Sequence, residues 1–310
     1  MTDHDRRRVV PAAVTDAATV GAYRLGSLAA RLMPAPVAAV AASSLGYGAG
    51  VLSQAKRDMI ERHLRRADPG LRGVALRIAA QQAFESYARY YVESFRLPSL
   101  SARRVDRTFS VDGFEHIPAA LEKGNGCIFA LPHLGGWEWA GRWMTDKGYR
   151  LTVVVEALQP PELFEWFADL RRELGMTVVP TGSGAGAAVM AALKENQIVC
   201  LLSDRDIERN GVEVEFFGER TTLPAGPAML GLRMGAPVLP IGVYFTARTD
   251  GHHAVVRPPL TIERQGGLRE DVARVTQDLA RELEILIRRA PEQWHLFSPN
   301  WPSDPGYADD

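Results

Sequence analysis

From Pro98 onward, short apolar runs alternate with longer stretches in which apolar residues recur every three or four positions. Apolar runs of about four to eight residues are typical of buried strands, and the periodic stretches are typical of amphipathic helices. Strands are predicted at 107–111, 126–131, 151–155, 177–179, 198–202, 212–217, 237–245 and 253–257. Helices are predicted at about 114–123, 137–147, 160–174, 185–196 and 225–235. This order predicts an α/β fold, in which a mixed, mostly parallel sheet is flanked by α-helices.

Two longer helices are predicted from a single apolar stripe on each. The stripe of the helix at 268–289 consists of Leu268, Val272, Val275, Leu279, Leu283 and Leu286. That of the helix at 71–97 consists of Val74, Ile78, Phe84, Tyr87, Tyr91 and Phe95. Helical periodicity favours placing both stripes in the core rather than against lipid.

The amino-terminal part of the chain is helical in pattern and basic. Residues 12–33 and an apolar segment after Pro36 form either a hairpin in a membrane interface or a helical cover on the core. A basic helix is predicted at 50–66. Residues 1–110 carry 17 Lys and Arg against 9 Asp and Glu, so this part either binds an anionic membrane surface or substrate or presents a merely solvated face. We divide the chain into an amino-terminal helical, membrane-surface region at 1–70 and an α/β domain at 71–310.

Neither a secretory leader nor a clear transmembrane helix is predicted. The basic residues at 6–8 are not followed by an apolar core and a small-residue cleavage site. The charge-free run at 32–55 is long enough to span a bilayer, but it is weakly apolar and interrupted by Pro34 and Pro36. A peripheral or cytosolic protein is therefore expected.

Composition narrows the classes further. The net charge of −1 argues against nucleic acid as the main partner. The two cysteines, Cys127 and Cys200, each lie in an apolar run and are expected to be buried, reduced thiols.

The stretch at 127–138 carries the strongest chemical signal. An apolar run ends at Pro132 and is followed by His133, two glycines and Glu138 at the start of a helical pattern. Five positions on a helix separate two side chains by about 140°, so the two meet only if the histidine lies in the loop. A histidine oriented by a carboxylate suits general-base chemistry, although a structural histidine gives the same pattern. The amides near Gly135 and Gly136, beside a helix amino terminus, are candidates to hold an oxyanion.

Other common catalytic arrangements are poorly supported. The sequence contains no HExxH motif, no cysteine pair and no histidine-rich cluster, so no metal site is predicted. It also lacks the G-x-S-x-G motif of serine hydrolases.

Charged residues also follow two other predicted strands. Asp204 and Arg205 come directly after the strand at 198–202, and Glu156 follows the strand at 151–155, with Arg171 in the next helix. Because ligands bind at the carboxyl ends of strands in open α/β sheets, these residues are candidates to line the same site. Arg205 is suited to bind a phosphate or carboxylate, and a structural ion pair is the alternative.

These residues carry a family resemblance. Pro132-His133-x4-Glu138 resembles the HX4D/E motif of membrane-associated acyltransferases, and four later blocks resemble the lipid A biosynthesis acyltransferases in the same order. These blocks lie at 204–218, 224–228, 235–240 and 294–301. Within that family, the chain looks most like the phosphatidylinositol mannoside acyltransferases of actinobacteria. That branch often has Glu-Arg-Asp where this chain has Asp204-Arg205-Asp206.

The resemblance implies an O-acyltransferase at the cytoplasmic face of the plasma membrane, with 71–310 as its catalytic domain. Acyl-CoA, for example palmitoyl-CoA, would be the co-substrate, a mannose of phosphatidylinositol mannoside the acceptor, and neither a metal nor a permanently bound cofactor is implied. His133 would be the general base and Glu138 its partner, in direct one-step transfer. Glu156, Arg171, Asp204 and Arg205 would line the acceptor and cofactor pocket. Two alternatives stay open: another lipid acceptor, such as a lysophospholipid, or a non-catalytic lipid-binding protein.

Overall fold

The structure, a computed structural model, describes residues 12–156 and 159–307, with side chains described from Thr19 onward. Its amino-terminal helices are α1 (Ala12–Leu32), α2 (Ala35–Leu52), α3 (Gln54–Ala67) and α4 (Gly73–Arg96). The later helices are α5 (Ala102–Arg107), α6 (His116–Leu121), α7 (Trp137–Asp146), α8 (Pro161–Glu173), α9 (Ala185–Lys194), α10 (Gly226–Met234) and α11 (Leu268–Arg288). The strands are β1 (Phe109–Asp112), β2 (Cys127–Leu131), β3 (Leu151–Val155), β4 (Thr177–Pro180), β5 (Ile198–Leu202), β6 (Val212–Phe216), β7 (Glu219–Leu223), β8 (Val238–Phe245) and β9 (His252–Val256).

Within the described residues, seven strands form one sheet in the order β1-β9-β8-β2-β5-β3-β4. Its neighbouring strands are parallel except for the antiparallel pair β8 and β9. Ile128 and Ala130 face the core shared with α9 and α11, and Phe129 and Leu131 face the core shared with α6 and α7. The predicted α/β class is confirmed, with a mostly parallel mixed sheet between two helical layers and helices at the amino terminus.

Two short elements were missed by the sequence pattern. Strand β7 pairs with β6 in an antiparallel hairpin outside the main sheet, and its polar sequence lacks an apolar run. Helix α5 occupies the start of the predicted strand at 107–111. It begins at Ser101, whose hydroxyl accepts a hydrogen bond from the Arg104 amide, a standard cap for a short helix.

The stripe predicted for α11 is confirmed, because Val275, Leu279 and Leu283 are at most 1% exposed. The stripe predicted for α4 is wrong at its first two positions: Val74 and Ile78 are more than half exposed. The first turns of α4 instead bury small residues against α2 and α3, namely Leu76, Ala79, Ala80 and Ala83. Small side chains let two helices approach closely, which outweighs the burial of larger residues elsewhere on the helix.

Helix α2 is unbroken, contrary to the expected interruption. Pro36 lies in its first turn, where a missing N–H group costs no helical hydrogen bond. By length and composition α2 is able to cross a bilayer, and 22% of it is buried. Its buried face consists of Ala38, Ala42, Gly46 and Gly50 and packs on α4. The division of the chain at residue 70 stays a prediction.

Candidate active site

His133 and Asp204 meet because of the register between two neighbouring strands. Strands β2 and β5 are parallel, with Leu131 opposite Leu202, and each of the two functional residues lies two positions past its strand. The Ser203 amide extends the ladder by donating to the Leu131 carbonyl over 2.8 Å. As a result, His133 Nδ1 lies 2.7 Å from Asp204 Oδ1.

Asp204 is fully buried and receives several hydrogen bonds. Its Oδ2 accepts from the His133 amide over 3.0 Å and from Trp294 Nε1 over 2.7 Å. Burial alone would raise the pKa of Asp204, but His133 and Trp294 hold the pKa below its usual value. The ionised carboxylate therefore accepts the Nδ1 proton of His133, which leaves Nε2 of the partly exposed ring free to accept a proton.

The carboxy-terminal segment positions both residues. The His295 amide donates to the His133 carbonyl, and the Gly135 amide donates to the Gln293 carbonyl, so the two segments form a short antiparallel bridge. Asn300 Nδ2 donates to the Asp204 carbonyl over 3.1 Å. Residue-by-residue reasoning missed this role, although the resemblance had singled out the 294–301 block.

Glu138 does not hold His133 as expected. Its Oε1 accepts hydrogen bonds from Arg171 Nη2 over 2.6 Å and from the Tyr90 hydroxyl over 3.2 Å. Burial and then the negative charge of Glu138 raise the pKa of Tyr90 well above its usual value, so the hydroxyl stays a donor. Because Glu138 and Arg171 are both buried, each needs an opposite charge, and their pairing takes precedence over the sequence neighbour.

Two further expectations change with this geometry. The Gly135 amide is occupied by the Gln293 carbonyl at 2.9 Å, so it is not available to an oxyanion. The expectation for the amide of Gly136, the residue that precedes α7, stays a prediction. Asp204, predicted to line the substrate pocket, lies behind His133 and borders neither of the two cavities described next.

The exposed side of His133 faces a polar cavity. Its walls include three tyrosines of α4 (Tyr87, Tyr90 and Tyr91) and the predicted site residues Glu156, Arg171 and Arg205. Trp137 stacks on Tyr90 with ring centroids 4.2 Å apart and meets the His133 ring edge-on. Three of the four predicted substrate-binding residues are thus brought together around the histidine.

An apolar cavity lies between the sheet and α7. Of the residues that line it, only Glu138 and Arg171 carry a charge. Five residues line both cavities, which are therefore continuous: Trp137, Val154, Val155, Arg171 and Leu202. An apolar channel that ends at a histidine is suited to hold a long aliphatic group with its polar end at the imidazole. Among the described residues, no group of three or more His, Cys, Asp or Glu is placed to hold a metal ion.

His295 also borders the polar cavity and shares a hydrogen bond of 2.8 Å with Ser86 through Nε2. Burial, and then the neighbouring His133, lower the pKa of His295 to about 3. His295 is therefore neutral in the folded protein, whereas a histidine in the unfolded chain takes up a proton near pH ~6.5.

We expect this difference to make the protein sensitive to acid. Between about pH 6.5 and about pH 3 the unfolded state binds more protons, so the free energy of unfolding falls as the pH falls. At pH ~5 the loss is roughly 2 kcal/mol relative to neutral pH. Denaturant titrations should show a smaller loss in His295→Gln, which removes the titrating group but keeps a partner for Ser86. Equal losses in both proteins would contradict the assignment.

Comparisons with known proteins agree with this site. A family model described as bacterial lipid A biosynthesis acyltransferase matches residues 11–303. The phosphatidylinositol mannoside acyltransferase of Mycobacterium tuberculosis is 39% identical over 227 residues, which cover 72% of this chain and 70% of that protein. The phosphatidylinositol mannoside acyltransferase of Mycolicibacterium smegmatis is 37% identical over 222 residues, 71% of each chain. The chain therefore belongs to the family of bacterial lipid A biosynthesis acyltransferases.

Proposed function

We propose that this protein moves a fatty acyl chain from acyl-CoA to a sugar hydroxyl of a glycolipid, a mannose of phosphatidylinositol mannoside. The observation that carries the proposal is the His133–Asp204 pair at the junction of the polar and apolar cavities. The relatives' printed names support the choice of acceptor.

In the proposed reaction, the acceptor hydroxyl lies in the polar cavity and the acyl chain lies in the apolar one. His133 Nε2 removes the hydroxyl proton as the oxygen attacks the thioester carbonyl carbon. The carbon–sulfur bond then breaks, an ester forms, and the imidazolium returns its proton to the departing thiolate. Asp204 keeps the Nδ1 proton in place and stabilises the imidazolium, so no covalent enzyme intermediate is needed.

Arg171 is assigned to the reacting end of the acyl donor, because it lines both cavities. Glu138 and Tyr90 fix its side chain from behind. A cation at this junction favours the negative charge that develops on the thioester oxygen. Glu138 thereby acts through Arg171 rather than through His133, and the Gly136 amide is proposed as a second donor to the oxyanion.

The polar cavity suits a sugar that carries a phosphodiester. Aromatic faces such as those of Tyr87 and Trp137 pack against the apolar face of a sugar ring, and Glu156 is placed to accept hydrogen bonds from its hydroxyls. Arg205, at the rim, is suited to the phosphate of the acceptor or of the donor.

We also propose that α1 and α2 rest on the cytoplasmic surface of an anionic membrane as a peripheral contact. Large apolar side chains are exposed on both helices: Leu25, Leu28, Leu32, Val37, Val40, Leu45, Tyr47, Val51 and Leu52. Basic side chains that are also exposed lie on α1, on α3 and around the start of α4, namely Arg24, Lys56, Arg72 and Arg77. Exposed apolar groups with nearby basic residues are typical of proteins that dock on anionic lipid.

The protein should float with vesicles that contain phosphatidylinositol, and less of it should float at high salt, because salt screens the basic residues. The variant Leu28→Ser/Leu32→Ser/Leu52→Ser should float several-fold less at either salt concentration. Ile285→Ser, which changes an exposed apolar residue of α11, is the matched control and should float normally. Flotation that is indifferent to both salt and the triple substitution would refute membrane docking through this surface.

The proposed activity is tested with purified protein, hexadecanoyl-CoA and phosphatidylinositol mannoside. Mass spectrometry should show acylated phosphatidylinositol mannoside, with one free CoA released for each acyl group transferred. A lysophospholipid in the same mixture should stay unmodified. Acylation of the lysophospholipid alone, or CoA release without any acylated acceptor, would refute the proposed function.

A further inference from the structure

The apolar cavity runs along the whole length of β3. Val155, the last residue of the strand, lies at the junction with the polar cavity, and Leu151, the first residue, lines the opposite part. Four residues of a strand span about 13 Å, which gives the depth of the cavity below the junction. Met176 immediately precedes β4, so it lies at the same deep end of the sheet as Leu151.

Helix α7 forms the wall opposite the sheet. Trp137 lies at the junction, and the residues that follow on the cavity side are Ala140, Gly141 and Met144. At about 1.5 Å per residue, Gly141 lies about 6 Å below Trp137. A glycine inside a helix lowers helix stability by about 1 kcal/mol relative to alanine, so this position is costly for α7.

The Met176 side chain accounts for the missing side chain at Gly141. A β-carbon built on Gly141 would collide with the terminal methyl group of Met176 and lie 3.2 Å from its sulfur. Met176 is 5% exposed and packs against α7 across the cavity. A methionine is unbranched and flexible, so it fills the space beside the glycine and closes the cavity at this level.

We propose that Gly141 and Met176 together set the length of the acyl chain that the cavity accepts. This inference rests on the proposed function, because it assigns the apolar cavity to the acyl chain. Methionine over glycine forms the floor of the cavity. A side chain added at Gly141 pushes that floor toward the junction, and a shorter side chain at residue 176 lowers it.

Competition among acyl donors tests the proposal. Each protein receives phosphatidylinositol mannoside and an equimolar mixture of dodecanoyl-, tetradecanoyl-, hexadecanoyl- and octadecanoyl-CoA, and the products are measured by mass spectrometry. Gly141→Val should shift the products toward shorter chains, and Met176→Ala should shift them toward longer chains. Since one methylene group in an apolar pocket changes discrimination by roughly tenfold or more, each ratio of long to short products should change at least tenfold.

Gly186→Val is the matched control, because Gly186 lies in α9 and its β-carbon would meet no atom within 4 Å. Its product distribution should equal that of the unmodified protein. Gly141→Ala, a smaller change, replaces Gly141→Val if thermal melting shows that the valine variant is unfolded. An unmodified protein that acylates the acceptor, with variants of unchanged chain-length preference, would overturn this inference alone. An unmodified protein without activity would instead refute the proposed function.

Discussion

His133→Ala is expected to lower acyl transfer by roughly 10²–10⁴-fold, which is the usual contribution of a general base. The substitution removes the only group in the site whose free nitrogen faces the acceptor cavity with a carboxylate behind it. Initial rates of CoA release and of ester formation measure the effect. The affinity for acyl-CoA should change little, because the acyl chain lies in the other cavity.

His133→Asn separates the loss of the base from a loss of stability. Removing the histidine leaves the buried Asp204 carboxylate with fewer donors, and a buried charge without its partner is destabilising. The asparagine amide replaces Nδ1 as a donor, so this variant should fold normally and stay inactive. His253→Asn, on β9, changes a histidine bonded to Ser110 outside both cavities and should keep full activity. Near-normal turnover in His133→Asn would refute the base assignment.

Asp204→Asn is expected to lower turnover by about 10³–10⁴-fold while leaving the fold intact. The asparagine still accepts the hydrogen bond from Trp294 Nε1, but its amide group presents a donor to His133. The imidazole then carries its proton on Nε2, the nitrogen that has to accept the acceptor's proton. Turnover measured against pH should show no recovery at high pH, because the defect is in the tautomer rather than in the charge.

Asp206→Asn is the matched control, since Asp206 accepts a hydrogen bond from the Gly211 amide two residues away from Asp204. It should retain most of the activity. Glu138→Gln should lower turnover less than Asp204→Asn does, because Glu138 contacts Arg171 and Tyr90 but not His133. A larger loss in Glu138→Gln than in Asp204→Asn would favour the carboxylate nearest in sequence as the partner of the base.

Sequence reasoning located the elements that build the site. Apolar runs and helical periods placed β2, β3 and β5, and the residues directly after them were selected because ligands bind at the carboxyl ends of such strands. This is sufficient to bring His133, Glu156 and Arg205 around one cavity. It misplaced the exposed start of α4, because a stripe of large residues does not reveal that a neighbouring helix packs on small ones.

The choice of acid for His133 was beyond sequence spacing. Glu138 is five residues away along the chain, whereas Asp204 is 71 residues away but emerges at the same level from the adjacent strand. Strand order and register decide this pairing, and neither is visible in a local pattern. The buried Arg171 then takes Glu138, since two buried opposite charges lower each other's free energy more than a partly exposed histidine would.

The sequence by itself therefore determined the α/β class, the strand ends and the histidine that ends β2, because these depend on periodicity and on turn-forming residues over a few positions. Only the tertiary structure decided what surrounds that histidine. The Asp204 carboxylate, the bridge to Trp294 and His295, and the cavity closed by Met176 over Gly141 all join residues that are distant in the chain. Such contacts depend on how the strands order themselves and on how side chains fill the space between layers.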